Sequence, residues 1–509
     1  MSGNAWSVGL LGMEGRMVEV EAAIGGGLPR TVLVGLPDTA LYEARDRCKA
    51  AVASAGLAWP SQLVTINLTP ATLPKSGSHY DLAIVSAVMA ASGAVPEDAA
   101  RMTVLMGELG LDGRVRPVRG ILPGLLAAVD AGFSRAIVPM TQVGEAGLVD
   151  GLTIWGISSV TELIDVLSGR PVLPTEAPAQ APTPPLGRQP DLVDVVGQDA
   201  ARWALEVAAA GRHHLFLHGA PGVGKTMLAE RLPSILPDLT RVDSLEVSAL
   251  HSLAGANLSG GLMTRPPYSD PHHNASLASL VGGGARVARP GAISLAHRGV
   301  LFMDEAPEFG PKLLEALRTP LESGWVSIGR SEVMTRYPAR FQLVLAANPC
   351  PCGRAGTKGA ACSCAPMAIR RYAERLSGPI LDRIDIQVHM QPVRAAYVAA
   401  KLKPAEGSTQ VAERVQSARS LQAARYAGSP WSTNAEVPGS VLRHDLPLPD
   451  GCELLDEALI RGQLSSRGAD KVLRVAWSIS DLDGADRPTK DHLRVAMAMR
   501  RGNEVAGAA

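Results

Sequence analysis

The sequence predicts an α/β fold built in successive parts: an α/β unit, then a phosphate-binding α/β core, then a helical C-terminal region. Three observations predict it. Short apolar runs alternate with helix-length stretches from about 191 to 392, the pattern of a mostly parallel sheet. One of those runs, Leu215-Phe216-Leu217, enters a glycine-rich turn that opens into a helical pattern. A proline-rich stretch, 170–190, separates this region from an earlier α/β pattern.

The elements follow in order. In 1–169 the strand candidates are TVLVGL, LVTINL and AIVPM. The helix candidates there are LYEARDRCKAAVASAG and LPGLLAAVDAG, each with a glycine where the helix should stop. Proline fixes φ and removes a backbone donor, so RPVLPTEAPAQAPTPPLGRQP reads as a stiff linker over 170–190. The core is expected over 191–392. From 393 to 509 the pattern is mainly helical, as in TQVAERVQSARSLQAARYAG and GADKVLRVAWSISDL. There is no internal repeat.

Composition narrows the function classes. Hydrophobic residues make up 46% and charged residues 19%, which indicates a globular rather than disordered chain. Lys+Arg and Asp+Glu are both 49, so there is no general basic coat, and any nucleic-acid contact must use local patches. No stretch reads as a signal peptide or a membrane span, so the expected location is cytoplasmic, with no membrane partner. Six cysteines in 509 residues do not suggest a disulfide scaffold.

The turn is Gly219-Ala220-Pro221-Gly222-Val223-Gly224-Lys225-Thr226, which fits GxxxxGK[ST] between a strand and a helix. Loop amides and the helix N-terminus both present unpaired N–H groups to phosphate oxygens. Lys225 is expected on the β- and γ-phosphates of ATP and Thr226 on magnesium. A second apolar run, GVLFM, ends in Asp304 and Glu305. Asp304 is expected to hold magnesium through water, and Glu305 to act as general base on the attacking water. A third run, FQLVLAA, ends at Asn348, either a turn residue before Pro349 or a polar group that orients the lytic water.

These pieces together resemble the AAA+ ATPases, and more closely the magnesium-chelatase-like branch called YifB or ComM. The resemblance spans almost the whole chain. It is carried by DPHHNASLASLVGGGARVARPGAISLAHRGVLFMDEAPEF, ANPCPCG, SGPILDRIDI and LSSRGADKVLRVAWSISDLDG. It implies that Asn348 is sensor 1, that Arg383 is an arginine finger reaching the ATP of a neighbouring subunit, and that Arg467 is sensor 2. It also implies a P-loop core with a helical lid, a ring, most often a hexamer, and ATP-driven branch migration of DNA linked to recombination and natural transformation. Recombination proteins would then be partners. The alternative from the same relatives is a chelatase-type motor that remodels a partner protein.

The first unit resembles the proteolytic domain of Lon, of the ribosomal S5 domain 2-like class, through LPKSGSHYDLAIVSAVMAASG and GRVRPVRGILPGLLAAVDAGFSRAIVP. Where that resemblance puts the serine nucleophile stands His79, and where it puts the dyad lysine stands Leu122. An inactive protease fold is therefore expected. His79 and Asp81 read as polar residues capping the next helix, with a salvage catalytic pair as the alternative.

Three further stretches attract attention. Two candidate hairpins, around Gly282–Gly284 with Arg286 and Arg289, and around Gly329-Arg330-Ser331 with Arg336, offer arginines to DNA phosphates or to subunit contacts. The adjacent His272-His273 read as polar turn residues. In CPCGRAGTKGAACSC, Cys350, Cys352, Cys362 and Cys364 form two C-x-C pairs that suit one structural zinc. Cys48 and Cys452 read as ordinary buried residues.

Overall fold

The computed structural model describes residues 2–35, 39–73, 75, 77–176, 190–284, 288–330, 333–356, 361–392 and 406–502. Most of the proline-rich linker, Arg286, Ser331 and the stretch from 393 to 405 lie outside the described residues. The architecture is α/β, as the sequence predicts, with a parallel sheet carrying the phosphate loop.

The first sheet has seven strands in the order β3-β4-β2-β1-β5-β8-β9. Its members are β1 (Ser2–Leu11), β2 (Glu14–Gly25), β3 (Arg30–Val34), β4 (Leu63–Thr69), β5 (Val104–Leu105), β8 (Arg135–Pro139) and β9 (Thr153–Ile157). A small hairpin of β6 (Glu108–Leu109) and β7 (Val115–Arg116) stands apart from it. β1 pairs antiparallel with β2, from Ser2 opposite Ala23 to Leu11 opposite Glu14, a hairpin that no sequence signal singled out. In β2, Val18, Val20 and Ala22 are buried and alternate with more exposed residues, so one face meets the core. The helix Asp81–Ala91 lies buried along its whole length against this sheet.

The second sheet has the order β11-β14-β17-β10-β18 and is parallel throughout. Its strands are β10 (Leu215–Gly219), β11 (Tyr268–Ser269), β14 (Val300–Met303), β17 (Gln342–Ala347) and β18 (Ile386–Met390). β14 and β17 are buried at every position, which is why they read as continuous apolar runs rather than alternating ones. Two hairpins project from this core: β12 (Gly282–Gly283) with β13 (Arg289–Pro290), and β15 (Trp325–Arg330) with β16 (Val333–Pro338). They touch each other, since the Tyr337 hydroxyl donates to the Ala288 carbonyl.

The helices Ser408–Arg425, Ser466–Leu482 and Lys490–Arg501 are the longer helices of the C-terminal region, where a helical lid is expected. The Ser465 hydroxyl caps the second of these by accepting from the Gly468 amide. Its long amphipathic face buries Val472, Val475, Ala476 and Ile479 in the same core as Leu215, Leu217 and Val344 of the parallel sheet.

The first unit rests on the core. The helix Ile121–Asp130 packs on the helix Arg241–Ala254, and Ala249 and Leu258 join Val8, Leu122 and Leu125 in one apolar cluster. Gly120 donates its amide to the Ser252 carbonyl, and the Ser252 hydroxyl donates to Glu145.

Candidate functional site

Parallel strands put successive loop starts on one edge of a sheet. β14, β17 and β10 are neighbours, so their C-terminal tips bring Asp304, Asn348 and the 219–226 loop together. Gly224 sits at φ +94° as the residue just before the helix Lys225–Arg231, a left-handed turn that glycine adopts without strain.

The side chains converge. Lys225 Nζ donates to the Gly219 carbonyl at 2.8 Å, to the Ala220 carbonyl at 3.0 Å and to Asn348 Oδ1 at 3.0 Å. Burial pushes the Lys225 ammonium below its ordinary pKa, partly offset by the charges of Asp304 and Glu305. Thr226 Oγ1 donates to Asp304 Oδ2 at 2.6 Å, and Asp304 Oδ1 accepts from the Glu305 amide at 2.8 Å. A hydroxyl and a carboxylate oxygen in contact form an all-oxygen donor set, which suits magnesium. Glu305 itself has φ +50°, a strained conformation for a residue with a Cβ, and its side chain is half exposed. It therefore faces open space beside the loop, where a water can reach it.

Other residues of the site were not anticipated. His273 Nδ1 lies 3.6 Å from Glu305 Oε2, and its ring meets Phe309 edge-on. His272 and His273 do lie in a turn, in which the Ala275 amide donates to the His272 carbonyl at 2.8 Å, but His273 also has an acid nearby. The acid partner is 32 positions away and only the pairing of β11 with β14 brings it near. Gln198 Nε2 donates to the carbonyls of Val223 and Gln391, at 3.1 and 2.8 Å, and so ties the phosphate loop to the end of β18. No spacing signal marks Gln198.

Arg383 and Arg467 lie together, away from the phosphate loop. Arg383 Nη2 and Arg467 Nη2 both face Glu322 Oε1, at 2.5 and 3.5 Å, and Arg467 Nη1 reaches Asp382 at 3.3 Å. Both line a cavity of about 910 Å³, together with Arg212, Arg340 and Arg474. This cavity sits at the N-terminal ends of β10, β17 and β18, the edge opposite the loop.

The four cysteines are free thiols and converge, with all four Sγ atoms within 4.8 Å of one another. Cys350 Sγ is 3.4 Å from Cys352 Sγ and 3.7 Å from Cys362 Sγ, and the latter two are 3.6 Å apart. A tetrahedral zinc with bonds of about 2.3 Å has S···S edges of about 3.8 Å. The Ala355 amide also points at Cys350 Sγ, at 3.3 Å, a donor to a thiolate. The donor set and its geometry fit zinc. Cys48 is buried as expected, whereas Cys452 is only half-buried.

Of the hairpin arginines, Arg289 and Arg336 are exposed, and Arg286 lies outside the described residues. In the first unit, Leu122 is fully buried in the cluster shared with the core. His79 Nε2 is 2.8 Å from the Val8 carbonyl, while Asp81 is held by Arg47 at 2.7 Å in a buried ion pair. His79 and Asp81 are thus engaged with separate partners, and neither caps the helix: it starts at Asp81 itself, after Tyr80, with no side-chain cap.

Comparison with known proteins places this geometry. Residues 191–398 match the family described as Magnesium chelatase, subunit ChlI, and 405–500 match its C-terminal part. Residues 20–142 match the description Subunit ChlI of Mg-chelatase. An uncharacterized protein of Mycobacterium tuberculosis is 50% identical over 98% of both chains. YifB of Escherichia coli is 39% identical over 96% of this chain and 95% of its own. The competence protein ComM of Haemophilus influenzae is 37% identical over 96% of both.

Proposed function

This chain belongs to the magnesium-chelatase family, in its YifB/ComM branch of AAA+ ATPases, and on that premise we propose a ring motor, most simply a hexamer, that moves DNA strands at branched junctions. The observation that carries the ring is the separation of the two halves of the catalytic set. Lys225, Thr226, Asp304, Glu305 and Asn348 gather on one edge of the sheet, and Arg383 and Arg467 on the other.

In this reading the loop amides of 219–226 and Lys225 hold the phosphates. Lys225 exchanges its contacts with the Gly219 and Ala220 carbonyls for phosphate oxygens. Thr226 and Asp304 would hold magnesium, which would supply charge neutralisation to the triphosphate. Asn348 and Glu305 orient the attacking water, and Glu305 takes its proton. Arg383 and Arg467 of a neighbouring copy close over the same triphosphate and offset the charge of the transferring phosphoryl group.

DNA as substrate is supported by the competence protein among the relatives and by the exposed Arg289 and Arg336 on paired hairpins. The first unit has an inactive Lon-like character in this reading and serves ring assembly or substrate holding, because Leu122 is sealed into packing against the core. The four cysteines hold a structural zinc. The test is ATP turnover with single-strand, duplex and four-way-junction DNA at fixed salt, with a branch-migration readout. Junction-stimulated turnover with ATP-dependent strand movement is the expected result. A flat response to every DNA would instead favour remodelling of a partner protein, the chelatase-type alternative.

A further inference from the structure

The cysteine centre touches the nucleotide cradle at two independent points. The first is through the chain: Cys350 is two residues beyond Asn348, whose Oδ1 accepts from Lys225. The second is through space. Gly353, between the two cysteine pairs, is buried against Pro221 of the phosphate loop. A Cβ on Gly353 would lie 2.3 Å from Pro221 Cγ and 2.5 Å from its Cδ, closer than any side chain tolerates. The Gly353 amide donates to the Cys350 carbonyl at 2.9 Å, so this contact is part of the turn that presents Cys350 and Cys352.

Pro221 is exposed, whereas Cys350 is fully buried. The cysteine turn is thus one wall behind the phosphate loop. Four thiolates on one ion fix that turn, and four unligated thiols leave it to the weak preferences of a short loop. We infer that the four-cysteine centre, when loaded with zinc, clamps the phosphate loop through Gly353–Pro221 and sets Asn348 against Lys225, so that metal occupancy governs nucleotide affinity. This inference rests on the reading of the cysteines as a zinc site. The centre itself takes no part in phosphoryl transfer, because its ligand positions are filled and nothing is left open for substrate.

The test uses the full chain. Zinc content is measured by plasma mass spectrometry, and affinity for a fluorescent ATP analogue is measured on the isolated, chelator-treated and zinc-restored protein. The expected result is one zinc per chain, an affinity loss of about tenfold or more on stripping, and recovery with zinc but not magnesium. Because stripping can unfold the loop outright, a second arm keeps the metal in place. Gly353→Ala drives a methyl into the Pro221 ring, and Pro221→Ala removes the Cγ and Cδ it would strike. Zinc content is measured in both variants, and affinities are compared between zinc-loaded proteins. Gly353→Ala should weaken ATP-analogue binding by about tenfold in the wild-type background and by clearly less in the Pro221→Ala background. The backbone strain at Gly353, φ +76°, is common to both backgrounds and cancels. Zinc-loaded variants with additive effects, together with unchanged affinity on stripping, would overturn the coupling and leave the zinc site standing. Absence of zinc after purification and after reconstitution would overturn both.

Discussion

Replacing Lys471 by methionine should damage stability and catalysis together. Lys471 Nζ lies 2.6 Å from Asp385 Oδ1 and donates to the Arg383 carbonyl at 2.9 Å. Both charged side chains are nearly inaccessible, 8% exposed for Lys471 and 3% for Asp385. Burial, the largest single cause, raises the Asp385 carboxyl, but Lys471, His213 and His214 together outweigh it and hold it well below the usual carboxylate range. Its other oxygen accepts from the His214 amide at 2.8 Å. Removing the ammonium leaves that charge buried with one amide for company, a loss of about 3–5 kcal/mol. The orphaned Arg383 carbonyl adds about 1 kcal/mol. Calorimetry of the full chain should show the transition that includes the lid lowered by about 10 °C. Asp385→Asn added to Lys471→Met should recover most of this, since the uncompensated charge goes with it. ATP turnover should fall in the single variant even below its melting range. Arg467 lies one turn earlier on the same helix, and Arg383 loses the anchor of its carbonyl. A single variant that melts like the wild type, or a double variant no better than the single, would refute the reasoning.

Other outcomes follow from the same geometry. Glu305→Gln should bind ATP as tightly as the wild type and lose turnover by about two to four orders of magnitude, the weight of a general base, read by parallel binding and phosphate-release assays. Arg383→Ala should be inactive alone but regain turnover when mixed with a Glu305→Gln chain, which lends it a good arginine; no gain at any mixing ratio argues against action between subunits. Acid should destabilise the core early. Burial, the largest cause, holds His213 down to about 3 and His214 to about 4, from an ordinary 6.5. The unfolded chain takes up protons that the folded one refuses, so stability is full above pH 7 and is lost as pH falls from 6.5 toward 4. The loss is about 2 kcal/mol per histidine between pH 7 and 5. A melting midpoint flat over that range would mean that these histidines are not buried as neutral rings.

Much of the core was legible because its signals are local. A continuous apolar run, a glycine turn and a helix start within twelve residues specify the phosphate loop, and the strand ends at Asp304 and Asn348 follow the same logic. The cysteine cluster was legible for the same reason, since its ligands lie within fifteen positions. What escaped was set by pairing across distance. The β1–β2 hairpin has alternation on one strand only, and its glycines weaken the pattern further. His273 acquires its acid from a neighbouring strand, and Gln198 meets the loop through carbonyls that carry no sequence identity. The seat of the first unit on the helix Arg241–Ala254 depends on two apolar faces matching in shape, which no single stretch encodes.

The placement of Arg383 has a further consequence for how an isolated subunit behaves. β10 and β18 run parallel with Leu215 opposite Ile386 and Gly219 opposite Met390. Arg383 precedes β18 by three residues, while the phosphate loop follows β10. At about 3.3 Å per residue, four steps of strand alone put about 13 Å between the two edges. Arg383 is also turned toward Glu322 and held there with the Pro379 carbonyl. It has neither the reach nor the direction to meet a γ-phosphate on its own loop. Arg467 shares the Glu322 contact, so the same limit applies to it, although it comes from the lid. Two arginines from different parts of the chain, parked on one carboxylate at the far edge of the sheet, make sense as one surface offered outward. In the proposed ring, Glu322 would keep the place of the neighbour's triphosphate. Replacing it with glutamine should loosen both guanidinium groups without removing either, so turnover in assembled rings should rise or hold while that of Arg383→Ala stays lost.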